Sequence, residues 1–160
     1  MSGEYQTPEQ FGNREKIKTR EVFTGDANVI GPDDDADNLE ALPVTCAILT
    51  AARPEQHTVG LAHFGLGLRQ RGTSELMNQF AHKLQRAGVT LSDCRLRMFS
   101  GDEMQWQEIK EALHSYNATL PEPEFLQLDG IRINKHSGEV SFFSLLPKDT
   151  TEEIDAGIAN

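Results

Sequence analysis

Two residues in this sequence have the types and the spacing to form the reacting pair of a cysteine hydrolase. Cys46 lies in one apolar run, and His63 follows 17 residues later in a second apolar run. A cysteine becomes an effective nucleophile when a nearby imidazole favours its thiolate, and the same imidazole can return the proton during acyl transfer. We therefore take Cys46 as the candidate nucleophile and His63 as the candidate acid and base.

Local composition alone leaves a purely structural role open for both residues. The apolar surroundings of Cys46 also suit an inert buried thiol, and His63 can equally be a hydrogen-bonded core histidine. Cys94 is expected to be a partly buried bystander. The four other histidines show no ligand spacing, so we expect surface positions for them and no metal site: His57, His82, His114 and His136.

The elements that must position this pair are strands. Apolar runs at 44–49 and 59–66, separated by a polar stretch, predict two buried strands joined by a loop, with Cys46 on the first and His63 on the second. Helical spacing of apolar residues predicts helices from Thr73 to Gly88 and over 104–116. Further predicted strands are 96–99, 125–128, 131–134 and 139–143, the last two forming a hairpin.

Strands and helices that do not strictly alternate predict an α/β (α+β) sandwich of mixed, largely antiparallel β-sheets with two main helices. A length of 160 residues with 38% apolar composition favours one domain. We expect that domain at 21–146, between a flexible N-terminal tail at 1–20 and a C-terminal tail at 147–160.

Bulk composition excludes several classes of function. A net charge of -10 argues against a nucleic-acid partner, because binding to phosphates depends on clustered Lys and Arg. No apolar run is long enough to span a membrane, and no secretion signal opens the chain. Two cysteines without zinc-site spacing suit a reducing cytoplasm, and the absence of a glycine-rich phosphate loop argues against a nucleotide cofactor.

Several stretches resemble, in order and spacing, the chemoreceptor glutamine deamidases of bacterial chemotaxis, the CheD family. Residues 22–29 are similar to the family's opening strand with its Gly-Asp/Glu pair, and the segment that ends at Cys46 lies where the family has Leu-Gly-Ser-Cys. Gly60 and His63 match its Gly-x-x-His segment at the same distance from the cysteine. The remaining similar stretches are 97–101, which resembles Phe-Gly-Gly, and the closing strands at 128–132 and 137–140.

The chain departs from the family pattern in ways that bear on the site. Pro43-Val44-Thr45 replaces Leu-Gly-Ser, which removes a glycine next to the nucleophile. Glu40 stands where the family has a threonine that orients the histidine. Glu40 is either an alternative orienting carboxylate or an exposed acidic loop residue, and the second interpretation is favoured. Ser100 and Gly101 either line the mouth of the cleft or belong to the cap of the second helix.

The resemblance implies an enzyme that converts specific glutamine side chains of chemoreceptors to glutamate. Cys46 would form a thioester, His63 would transfer protons, and backbone N–H groups near Cys46, in the region of Thr45, would stabilise the oxyanion. It implies no metal or organic cofactor. The expected partners are the cytoplasmic domains of methyl-accepting chemoreceptors and other chemotaxis proteins. Two alternatives stay open: a non-catalytic module that binds chemotaxis proteins, and a cysteine hydrolase with a different protein target.

Overall fold

The computed structural model describes residues 18–42, 46–65, 69–119, 121–124 and 129–144. Nine strands, two α-helices and two short 3-10 turns lie within these ranges. The strands are β1 (Thr19–Glu21), β2 (Ala27–Ile30), β3 (Asn38–Ala41), β4 (Ile48–Arg53), β5 (Thr58–His63), β6 (Arg95–Phe99), β7 (Pro123–Glu124), β8 (Gly130–Asn134) and β9 (Val140–Phe143). The helices are α1 (Arg69–Arg86) and α2 (Glu103–His114), and the 3-10 turns are Pro54–Gln56 and Leu91–Asp93.

The strands form two sheets of mixed direction. One sheet has the order β1-β3-β8-β9 and the other has the order β2-β5-β4-β6-β7. The pairs β1–β3 and β6–β7 are parallel, and the remaining pairs are antiparallel. The prediction of an α+β protein with mixed, largely antiparallel sheets and two main helices is therefore confirmed.

The five-stranded sheet is the middle of three layers. One of its faces packs on the four-stranded sheet through an apolar cluster that includes Ile48, Leu61 and Ile131. Its other face packs on the helices through a second cluster that includes Leu49 and Phe80. A strand in the middle layer must be apolar on both sides, which explains why every residue of β5 is buried.

Helix α1 approaches the middle of β5 closely. A Cβ atom at Gly60 would lie 2.6 Å from the ring of Phe80, so this position is restricted to glycine. The helix begins at Arg69, four residues before the predicted start. Thr73, the predicted first residue, therefore lies inside the helix, and its hydroxyl donates to Glu108 of α2 and joins the two helices.

The first candidate strand was predicted too early in the chain. β4 covers Ile48–Arg53 instead of 44–49, and Cys46 lies in a bend two residues before it. The run of Thr50, Ala51 and Ala52 supplies the small buried side chains that a middle-layer strand can pack on both faces. The predicted strand at 125–128 lies outside the described residues.

Two short strands of the four-stranded sheet, β1 and β3, were not predicted because they carry few apolar residues. The predicted N-terminal tail, 1–20, extends too far. Thr19 and Arg20 belong to β1 and pair in parallel with β3. In β3, Leu39 and Ala41 are fully buried, while Glu40 between them is half-buried. The interpretation of Glu40 as an exposed loop residue is therefore wrong. The limits predicted at 146 and 147 fall outside the described residues.

Candidate active site

Cys46 and His63 lie at the same end of the β4–β5 pair. Ile48 is the direct partner of His63, and the Phe64 N–H donates to the Ala47 carbonyl over 2.9 Å, which carries the pairing one residue beyond β4. Cys46 is the next residue, in the bend that leads into β4. Because Ala47 is bonded to Phe64, Cys46 lies close to the end of β5 that carries His63.

His63 is completely buried and is held by a main-chain carbonyl. Its Nδ1 lies 3.1 Å from the Val22 oxygen, which can only accept a hydrogen bond, so Nδ1 carries the proton. Nε2 is then the unprotonated nitrogen, and it is buried with no hydrogen-bond partner among the described residues. The lone pair of His63 Nε2 therefore accepts no hydrogen bond from the described residues.

The backbone of His63 is fixed by the turn that precedes β2. The His63 N–H donates to the Asp26 carbonyl, and the Gly25 N–H donates to the His63 carbonyl. Gly25 has φ of +87°, a conformation that glycine adopts without steric cost. The turn at Gly25-Asp26 therefore holds the histidine against the end of the middle sheet.

Burial controls the charge state of His63. Desolvation lowers the pKa of this imidazole below its ordinary value, and the Val22 carbonyl and the Glu21 carboxylate oppose that shift without cancelling it. The ring is consequently neutral near pH 7 and can accept a proton at Nε2. The Val22 carbonyl would stabilise the imidazolium that forms when Nε2 takes a proton.

Ser100 and Gly101 form a left-handed turn that packs against the segment containing the nucleophile candidate. Their φ angles are +60° and +81°. A Cβ atom at Gly101 would lie 2.7 Å from the Ala47 Cβ, so only glycine allows this approach. The cap of α2 is the next residue, Asp102, whose carboxylate accepts from the Gln105 N–H. The capping role considered for this stretch therefore falls on Asp102.

Gln105 also lies at this end of the sheet, and it was not predicted from the sequence as a site residue. Its Nε2 donates to the Gly65 carbonyl over 3.2 Å and to the Phe64 carbonyl over 3.4 Å, which leaves Oε1 buried without a partner. The spacing of Asp102 and Gln105 matches a capping box, in which the glutamine would bond back to the helix start. That pattern was visible in the sequence, but the Gln105 side chain points to the β5 end instead.

Unpartnered buried polar atoms concentrate at this end of the sheet. Among the described residues, four buried side-chain N or O atoms have no hydrogen-bond partner. Three of them belong to His63, Ser100 and Gln105, all at the end of the sheet where Cys46 lies. Because such atoms are costly in a folded protein, their clustering is typical of a site that binds or transforms a ligand.

Glu40 does not contact the His63 ring. Its Oε1 accepts from the Arg132 guanidinium at 2.6 and 3.1 Å, across the β3–β8 pair. Glu40 acts on the site only through its main chain, because its carbonyl accepts from the Val22 N–H over 2.7 Å. Thr45, the other candidate orienting or oxyanion residue, lies outside the described residues.

The second cysteine lies in a different environment. Cys94 is partly buried behind Leu91–Asp93, and desolvation, reinforced by the Asp93 carboxylate, raises the pKa of its thiol to about 11. A thiol with this pKa carries almost no thiolate at neutral pH. The expectation of a partly buried position is confirmed, and Cys94 is unsuited to nucleophilic chemistry.

No family model and no curated protein matches this chain. In the part of the chain that the structure describes, no helix is both long enough and apolar enough to cross a membrane. The geometry around Cys46 and His63 is therefore the basis for assigning a function.

Proposed function

We propose that this protein is a cysteine amidase of the glutamine deamidase type. The observation that carries the proposal is the state of His63, a fully buried neutral imidazole with Nδ1 held by the Val22 carbonyl and Nε2 unpartnered. A purely structural histidine would use both ring nitrogens or be replaced by an apolar residue. An available base beside a cysteine is what acyl transfer requires.

In the proposed reaction, His63 Nε2 removes the proton from the Cys46 thiol, and Sγ attacks the carboxamide carbon of a glutamine side chain. The tetrahedral intermediate collapses when its C–N bond breaks and Nε2 gives its proton to the departing ammonia. This leaves a thioester on Cys46. Nε2 then deprotonates a water molecule that attacks the thioester, which releases glutamate and restores the thiol.

The Val22 carbonyl takes the place of a triad's orienting group in this proposal. It fixes the tautomer in which Nε2 faces the reaction as a base, and it accepts a stronger hydrogen bond when His63 becomes charged. A side-chain carboxylate is therefore not needed. This accounts for the presence of Glu40, paired with Arg132, where the chemoreceptor deamidases have a threonine.

Chemoreceptor cytoplasmic domains are the proposed substrates, on the strength of the resemblance in residues 22–143. The Gly25-Asp26 turn and His63, which both belong to the resembling stretches, are in direct backbone contact. The Ser100-Gly101 turn, a third such stretch, packs on Ala47. Three of the similar segments thus converge on one end of the middle sheet, which supports a shared reaction.

The test is to incubate the protein with chemoreceptor cytoplasmic domains and to follow Gln-to-Glu conversion by peptide mass spectrometry. We expect conversion by the wild type and by Cys94→Ala, and none by Cys46→Ala. Conversion that persists in Cys46→Ala would overturn the proposal. Binding of the receptor domain without conversion by any variant would instead identify a docking module, and conversion of a different protein would identify another target.

A further inference from the structure

A second histidine site lies at the other end of β5. His57 immediately precedes this strand, and His136 lies in the turn between β8 and β9, 79 residues later. Their Nδ1 atoms are 3.4 Å apart, and the rings meet edge to face with centroids 5.3 Å apart. The two rings therefore link one sheet to the other on the exposed surface.

Asp37 determines which nitrogen of His136 is available. His136 Nε2 lies 3.0 Å from the Asp37 carboxylate, which only accepts, so Nε2 carries the proton and Nδ1 presents a lone pair to His57. In most protein metal sites a ligating histidine donates its other ring N–H to a carboxylate in this way. The arrangement orients His136 as a ligand through Nδ1.

The separation of the two Nδ1 atoms matches the edge of a tetrahedral metal site. With metal–nitrogen bonds of roughly 2.0–2.1 Å and tetrahedral angles, two imidazole ligands have nitrogen atoms about 3.3–3.4 Å apart. Here a single proton on His57 Nδ1 joins the rings. A divalent ion can replace that proton if His57 moves its ring proton to Nε2 and both rings tilt so that their Nδ1 lone pairs point at the metal.

Both histidines are held by ordered backbone. His57 has a left-handed φ of +50°, and its N–H donates to the Pro54 carbonyl. The N–H groups of His136 and Ser137 both donate to the Asn134 side chain. The turn containing Gly138 also packs on Pro54, because a Cβ at Gly138 would lie 3.2 Å from the proline ring. The backbone that carries the pair is thus held in place before a ligand arrives.

We propose that His57 and His136 chelate a divalent transition-metal ion such as Zn²⁺ or Ni²⁺, with Asp37 as the positioning carboxylate. Imidazole nitrogen is a preferred ligand of these ions. Among the described residues no three or more His, Cys, Asp or Glu side chains form a metal-binding group. The site accordingly supplies two protein ligands, and water or a bound carboxylate completes the coordination.

The direct test is a titration of the full-length protein, labelled with ¹⁵N-histidine, with Zn²⁺ and separately with Ni²⁺. We expect the ring signals of His57 and His136 to change together (a Zn²⁺-induced shift, or broadening by Ni²⁺) and to saturate at equimolar metal, while His82 and His114 remain unchanged. Simultaneous change of all the histidines, or no change at His57 and His136, would overturn the proposal. This readout uses the wild type and does not depend on the deamidase activity.

Variants separate chelation from general surface binding. His57→Asn retains a residue that tolerates left-handed φ, and we expect this variant and His136→Gln each to weaken binding roughly 100-fold, because one ligand is left. Asp37→Asn should weaken it by about 10-fold through loss of ligand orientation. His114→Gln is the matched control and should bind as the wild type does. Undiminished affinity in His57→Asn would contradict the two-histidine site.

Discussion

The two ends of strand β5 carry the same side chain in opposite environments. His63 ends the strand, is fully buried, and contacts a main-chain carbonyl through one nitrogen only. His57 precedes the strand, is exposed, and meets a second imidazole that is paired with a carboxylate. The two residues are about 20 Å apart along the strand. The buried end provides an imidazole nitrogen with no hydrogen-bond partner among the described residues. The exposed end provides two imidazole nitrogens at the separation that a metal site requires.

The difference in burial between the two ends determines which chemistry each histidine can support. At the buried end, desolvation lowers the pKa of His63 and leaves a neutral ring whose Nε2 can take a proton. At the exposed end, water solvates the rings, and the Asp37 carboxylate orients His136 instead. Variants at each end should therefore affect different measurements.

The largest expected effect is on conversion of glutamine by His63→Gln. Loss of the proton acceptor should lower the rate of conversion by roughly 10²- to 10⁴-fold. His136→Gln is the matched control at the other end and should retain the wild-type rate. Steady-state rates from peptide mass spectrometry check both. Equal losses of conversion rate in the two variants would contradict the assignment of the catalytic base to the buried end.

Glycines at the two ends should differ in their effect on stability. Gly101→Ala would place a Cβ 2.7 Å from the buried Ala47 in a left-handed conformation, and we expect it to lower the free energy of unfolding by about 2–4 kcal/mol. Gly138→Ala carries a similar φ, but its neighbours begin at 3.1 Å. We expect about 1–2 kcal/mol there. Urea denaturation measures both, and a larger loss for Gly138→Ala would contradict the packing described.

The buried histidine should make stability depend on pH. Because the folded pKa of His63 lies below its unfolded value of about 6.5, the unfolded chain binds the proton first on acidification. The free energy of unfolding should therefore fall as pH drops below about 6.5, by up to about 1.4 kcal/mol per unit, until the folded state also protonates. Above that pH the contribution is constant.

The control for this pH dependence is His63→Gln. The difference in unfolding free energy between the wild type and this variant should vary with pH only below about 6.5. His114→Gln, which removes a histidine from the exposed end of α2, should leave the wild-type slope in place. A pH-independent difference for His63→Gln would mean that burial does not shift this group.

The smallest expected effect is that of Glu40→Gln. This change removes the charge that pairs with Arg132, which is a partly exposed ion pair and should contribute at most about 1 kcal/mol to stability. Conversion of glutamine should be unchanged, because the Val22 carbonyl and not Glu40 holds His63. A loss of activity comparable to that of His63→Gln would assign the orienting role to Glu40 after all.

The buried part of the fold was predictable because its signals are local. Continuous apolar runs marked the two middle strands, although β4 starts at Ile48, beyond the predicted range around Cys46. Apolar residues at helical spacing marked α1 and α2. The short strands β1 and β3 were not predicted, because their formation depends on main-chain pairing with distant strands more than on apolar side chains.

The candidate site was predictable only in part for a similar reason. Cys46 and His63 could be selected by residue type and spacing. The partner of His63 is a main-chain oxygen of Val22, which every residue carries and which no sequence pattern marks. The pairing of His57 with His136 joins residues far apart in the chain, so it became visible only when the two sheets were in place.

Alkylation of the two cysteines tests the central claim most directly, because it requires no substrate. Iodoacetamide labelling, with each site quantified by peptide mass spectrometry, should modify Cys46 much faster than Cys94, whose thiol has a pKa of about 11. In His63→Gln the Cys46 rate should fall at least about 10-fold, while His136→Gln leaves it unchanged. A Cys46 rate that is indifferent to His63→Gln would contradict a reacting Cys46–His63 pair.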